Sequence, residues 1–144
     1  GYYIPRQSFY LDKWIRHGEW CPDLKLRLIK KAKGRWSGPS VHEKLVTAGK
    51  TRYLKNPIYH YTYRNISHHL EKFNRYSSLF ARDAFGKNEK FKFYQLLWKP
   101  FIRFVRGYFF KQGFRDGFSG FVVALMQSFE VFLRHAKLWE LEKK

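Results

Sequence analysis

The sequence holds 144 residues, 44% hydrophobic and 21% aromatic, which suits one domain with a core and excludes two comfortable domains or a globally disordered chain. Lys and Arg number 29 against 11 Asp and Glu, a net charge of +18, and such a field selects polyanionic partners: nucleic acid, anionic lipid or phosphorylated glycolipid. One cysteine, Cys21, excludes an internal disulfide and a cysteine-built zinc site, and fits a reducing compartment.

In chain order, the aromatic run Tyr2–Tyr10 reads as a strand. It has no strand before it, the first residue is Gly1 and the only methionine is Met126, so the sequence is expected to be a cut piece of a longer protein. No secretory signal is read at the start. Leu24, Lys25, Leu26, Arg27 and Leu28 alternate with the period of a half-buried strand, and Ile58–Tyr63 is a third strand candidate. Turn signals stand at Arg16-His17-Gly18, Cys21-Pro22-Asp23, Ser37-Gly38-Pro39 and Asn56-Pro57. Residues 1–64 thus read as a strand and loop part of a catalytic domain, and residues 65–144 as a helical, membrane-associating region. The fold class is α+β.

The first helix is expected to begin with Ser67 as its N-cap. Ile66, Leu70, Phe73, Ser77, Phe80 and Ala84 then recur at three- and four-residue steps to about Gly86. After a linker, Lys87 to Lys90, a second helix sets Leu97, Phe101, Phe104, Val105 and Tyr108 on one face and Lys99, Arg103 and Arg106 on the other. Pro100 starts or kinks it. From Lys90 to Arg115 there are seven Lys and Arg and no acid. A third helix carries Phe118, Phe121, Val122, Leu125, Phe129 and Phe132. Its uncharged run, Gly117 to Phe129, is 13 residues, short of the roughly 20 needed to span a bilayer, so no transmembrane helix is expected. Aromatic faces backed by cations suit helices in the headgroup region of an anionic membrane; they also suit ordinary packing. Packing is the reading for the third helix, and both readings stand for the second, with Lys99, Phe101, Arg103, Phe104 and Arg106 as the membrane-surface candidates.

Five motifs follow one another: Arg16-His17-Gly18-Glu19-Trp20-Cys21-Pro22-Asp23, Arg27-Leu28-Ile29, Val41-His42-Glu43, His60-Tyr61-Thr62-Tyr63 and Lys72-Phe73-Asn74-Arg75-Tyr76. In that order the chain resembles family 2 glycosyltransferases, in particular the group that extends the lipopolysaccharide core, with its H-G-x-W-x-P-D loop, R-L-F strand, V-H-E turn, H-Y-x-Y strand and K-x-N-R-Y helix. Glu19 stands where that pattern has Gly, and Cys21 and Ile29 where it has aromatics. No D-x-D element occurs, although these enzymes hold the nucleotide sugar and its metal with one. The resemblance implies the C-terminal, acceptor-side part of a GT-A fold, with the donor half upstream. It also implies a nucleotide-diphosphate sugar as donor, a divalent cation (Mg or Mn) bound mostly by that upstream half, and a lipid-linked or lipopolysaccharide-core acceptor. The implied location is cytoplasmic, peripheral on the inner membrane.

On that resemblance Glu43 is the candidate catalytic base, since inverting sugar transfer needs a carboxylate to take the acceptor hydroxyl's proton; it also reads as a solvated surface Glu. His42 is the metal candidate, or a satisfied histidine. Arg27 and Arg35 are candidates to grip phosphate, or ordinary surface cations. Trp20 stacks on a sugar ring or packs in the core, and Asp23 bonds sugar hydroxyls or caps its turn. His60 reads as structural, and His68-His69 lacks the spacing of a helical metal pair. Nucleic-acid binding is the second functional reading, although no helix-turn-helix, RNP-type or zinc-finger signature appears.

Overall fold

The computed structural model describes residues 1–38 and 44–143. Its α+β architecture joins a five-stranded sheet and a separate hairpin to three helices. Strand β1 (Tyr2–Tyr10) is the spine of the sheet. Its far half pairs antiparallel with β2 (Lys13–Ile15) and parallel with β7 (Ile58–Tyr61); its near half pairs antiparallel with β3 (Leu24–Leu28) and parallel with β6 (Arg52–Tyr53). All four partners follow β1 in the chain, and they give it neighbours on both sides. The hairpin of β4 (Gly34–Ser37) and β5 (Lys44–Thr47) stands apart. β3 has the expected bounds; β2, β4, β5 and β6 are too short for period-two patterning to reveal.

Helix α1 (Ile66–Gly86) is capped by Asn65, whose side chain accepts from His68 N at 2.8 Å. Ser67 therefore lies inside the first turn. The buried side of α1 is His69, Phe73, Ser77, Ala81 and Ala84, while Ile66 and Leu70 are exposed. Helix α2 (Phe93–Val105) contains Pro100, continues as a π-helical turn, Arg106–Phe110, and reaches α3 (Gly117–Glu142) through a 3₁₀ turn, Gly113–Asp116. Contacts of Pro100 with Ser128, Arg103 with Gln127 and Phe104 with Phe121 show that α3 runs back along α2 as an antiparallel hairpin.

The core lies between the sheet, α1 and α3: Tyr10, Ile15, Phe73, Val122, Val123 and Met126, flanked by Leu11, Trp20 and Tyr63. A second cluster, Ala81, Ala84 and Leu138, seals the far end of α1 against α3. Packing of the third helix holds for one face only, because Phe118, Phe121, Leu125 and Phe129 are exposed. Gly113–Glu142 is long and apolar enough to cross a membrane by length and composition, beyond the 13-residue run read from sequence. Its buried face carries Gln127, Glu130 and His135 and packs on α1, which makes it a core helix.

Candidate functional site

The loop between β2 and β3 carries the first motif, and two carboxylates fix it to the α2–α3 hairpin. Asp116, at the start of α3, points into the loop: its Oδ2 accepts from Arg16 N and His17 N, both at 2.8 Å, and its Oδ1 lies 2.9 Å from His17 Nδ1. A carboxylate only accepts, so His17 Nδ1 carries the proton. Glu19 points the other way. Its side chain is 3% exposed and meets Arg106 at 2.8 Å, Arg103 at 3.1 Å and Lys111 at 3.5 Å. Burial by itself would raise the Glu19 carboxyl; the Arg106 hydrogen bond and the charges of Arg103 and Lys111 outweigh it and hold the group below its ordinary value.

Glycines let the loop and hairpin backbones meet. Gly18 has φ +79°, and a Cβ there would sit 3.6 Å from the Gly107 carbonyl and from Gly113 Cα. A Cβ on Gly113 would lie 2.7 Å from Gly107 O, and one on Gly120 2.0 Å from Gly113 O. Only hydrogen fits at Gly113 and Gly120, while at Gly18 it is the positive φ that favours glycine.

Below this junction a cleft of about 260 Å³ is lined by Arg6, Ser8, Glu19, Trp20, Pro22, Asp23, Thr62 and Tyr63. Asp23 accepts from Arg6 Nε at 2.7 Å and pairs with Lys25 at 3.1 Å. Trp20 lies 5.5 Å from the Tyr10 ring and 5.8 Å from Tyr63, so it is at once a core side chain and a wall of the cleft. An aromatic wall beside an Arg–Asp pair can take a sugar: its C–H face on the rings, its hydroxyls on the charged groups.

The cleft therefore joins Trp20 and Asp23 of the sequence candidates and leaves out the others. Arg27 is exposed on β3. Arg35 lines a different hollow, on the β4–β5 hairpin. Glu43 and His42 lie outside the described residues. Arg103 and Arg106 of the expected cationic face both pair with Glu19, Arg103 half-buried and Arg106 exposed, while Lys99 is exposed; Phe101 is exposed and Phe104 packs on Tyr108 and Phe121. In the sequence Tyr63 stands out only as part of the H-Y-x-Y strand, and Arg6 not at all: Arg6 sits in an aromatic strand without a motif, and its partner is 17 residues away.

Other titratable groups near the cleft are held neutral. Burial, then Arg6 and Lys72, lowers His60. Burial, then Asp116 and Asp23, raises the Cys21 thiol, which keeps it from acting as a thiolate. Among the described residues no group of three or more His, Cys, Asp or Glu is placed to hold a metal ion, and Asp23 is already committed to Arg6 and Lys25.

A relative in Rhizobium meliloti (strain 1021), the lipopolysaccharide core biosynthesis glycosyltransferase LpsC, is 32% identical over 117 residues, 80% of this chain and 43% of that protein. Uncharacterized glycosyltransferases of Rickettsia typhi and Rickettsia felis are each 36% identical, over 96 and 93 residues, 67% and 65% of the chain. Glycosyltransferase homologues cover most of this chain. It spans a third to under a half of their length, 33% to 43%. No protein-family model and no solved structure matches it.

Proposed function

We propose that this chain is the acceptor-side part of a family 2, GT-A glycosyltransferase. It would transfer a hexose from a nucleotide-diphosphate sugar to a lipid-anchored saccharide of the lipopolysaccharide-core type, at the cytoplasmic face of the inner membrane. The homologue named for lipopolysaccharide core biosynthesis carries the reading, and the cleft gives it a place for the acceptor. Trp20 and Tyr63 line it with aromatic walls, and the Arg6–Asp23 pair orients hydroxyls. Glu43 is the proposed base: it takes the proton of the acceptor hydroxyl as that oxygen attacks the anomeric carbon, and the bond to the diphosphate breaks with its electron pair on the leaving oxygen. The divalent ion such donors bring would be held mostly by the upstream half, and no step here depends on it.

The test uses the full-length enzyme with labelled nucleotide sugar and a deacylated core acceptor. Glu43→Gln is expected to cut kcat by about 10²–10⁴-fold with donor affinity retained, and Asp23→Asn to raise the acceptor KM more than the donor KM. Retention of more than about a tenth of the rate by Glu43→Gln removes it as the base. Absence of transfer to any core acceptor by the wild type overturns the substrate assignment.

A further inference from the structure

Helix α2 leaves much of its apolar surface uncovered. Phe93, Tyr94, Leu97, Trp98, Phe101 and Ile102 are all 55–67% exposed, and α2 buries no residue completely. Of its cations Arg103 turns inward, bonded to Glu19 and Gln127, while Lys99 stays exposed. The exposed apolar surface runs on through the hairpin tip, Phe109, Phe110, Phe114 and Phe118, at 48–79% exposure. The Phe104, Tyr108 and Phe121 rings pack on one another beneath it, and Phe109 and Phe114 of the face meet Tyr108 edge-on. A continuous aromatic face this long is a contact surface and not an ordinary exterior.

We infer that this face inserts into the headgroup region of an anionic lipid leaflet, with the hairpin tip deepest. The inference deepens the membrane placement of the proposed function and rests on it, but needs neither donor nor acceptor. The rim decides the occupant. Lys90, Lys92, Lys99 and Arg115 are exposed around the face, and no acid lies between Lys90 and Arg115. A second copy docking face to face would bring cations onto cations, whereas a leaflet of acidic lipid supplies phosphates at the depth where the aromatic face ends. Arg103, Arg106 and Lys111 are not part of this rim. They bind Glu19 and so hold the loop of the cleft to the inserted hairpin, which sets the cleft at a fixed height above the lipid.

The full-length protein is mixed with phosphatidylglycerol/phosphatidylethanolamine vesicles and, separately, with phosphatidylcholine vesicles. Three results are expected: binding to the anionic vesicles that weakens with salt, about tenfold or greater loss of affinity in F110S/F118S, and unchanged affinity in Tyr61→Ser, at the exposed sheet. Brominated lipid should quench a component of tryptophan emission that Trp98→Phe removes, a wild-type readout independent of any folding defect. The inference is overturned if the vesicles do not bind, if Trp98 is unquenched because another segment of the protein covers it, or if F110S/F118S dissociates a dimer without altering vesicle binding. It is equally overturned if single-stranded RNA binds tightly while vesicles do not.

Discussion

Glu19 concentrates three cations on one carboxylate that is almost completely enclosed. Its replacement by Gln leaves half-buried Arg103 beside Arg106 without a counter-charge. A loss of about 1–3 kcal/mol in urea unfolding is expected, below the cost of breaking a fully buried pair because Arg106 and Lys111 are solvated. An unchanged midpoint would mean that the hub contributes nothing to stability. His69 is the second telling residue. It is fully buried, stacked 3.7 Å from Tyr63 and hydrogen-bonded to Tyr10 Oη at 2.8 Å. Burial, then the charges of His68 and Lys72, depress it from 6.5 to about 3; burial, then Lys99 and Arg134, depress His135 to about 4. The unfolded chain binds these protons first, so stability is complete above 6.5 and declines as the pH falls from there toward those folded values. Each histidine contributes a slope of about 1.4 kcal/mol per pH unit. His69→Asn, which cannot titrate, should flatten the urea-midpoint profile between pH 6.5 and 4; an unaltered profile would exclude His69 as a source.

At the scale of elements, α3 is held to its neighbours by two unlike devices. Toward α1 a polar clamp joins the apolar packing: the three protons of Lys137 Nζ are shared among Asn74 O, Asn74 Oδ1, Ser77 Oγ and Ser78 Oγ, at 2.6–2.9 Å. That gives the Asn of the K-x-N-R-Y motif a structural task. Toward the 3₁₀ turn the contact is bare backbone, with Gly120 on Gly113. A methyl group at Gly120 meets a carbonyl oxygen that no rotamer change can move, so Gly120→Ala should lower stability by about 1–3 kcal/mol or more. Gly86, the last residue of α1, has open space at its Cβ position, and Gly86→Ala should be neutral or stabilising by up to about 1 kcal/mol. Thermal melts of the two variants test the contrast; equal shifts would refute the close-crossing account.

For the whole molecule, the charge of +18 is spread over a surface with few acids, so folding compresses like charges. Raising NaCl from about 0.02 M to about 0.3 M shortens the screening length from roughly 20 Å to under 10 Å. Tm should therefore rise by several degrees, with sulfate more effective than chloride. A Tm that falls with salt would mean that the ion pairs of Glu19, Asp23 and Asp116 outweigh the general repulsion.

The sequence by itself determined the strand–helix division near residue 65, the bounds of β1 and β3, and the three helices, because each depends on local period and on turn or cap residues. Trp20 and Asp23, named from a motif of consecutive residues, both line the cleft. Which residues of α2 meet the protein was beyond it: Arg103 turns in together with Phe104 and Val105, while Leu97 and Phe101 of the apolar set and Lys99 and Arg106 of the cationic set are exposed. That division depends on partners far away in the chain, Glu19 for Arg103 and Arg106 and Phe121 for Phe104. Arg6, Tyr63 and Asp116 likewise became site residues only in the tertiary structure. Their partners are distant in sequence, and a side chain's role as orienter or wall depends on what the fold sets beside it.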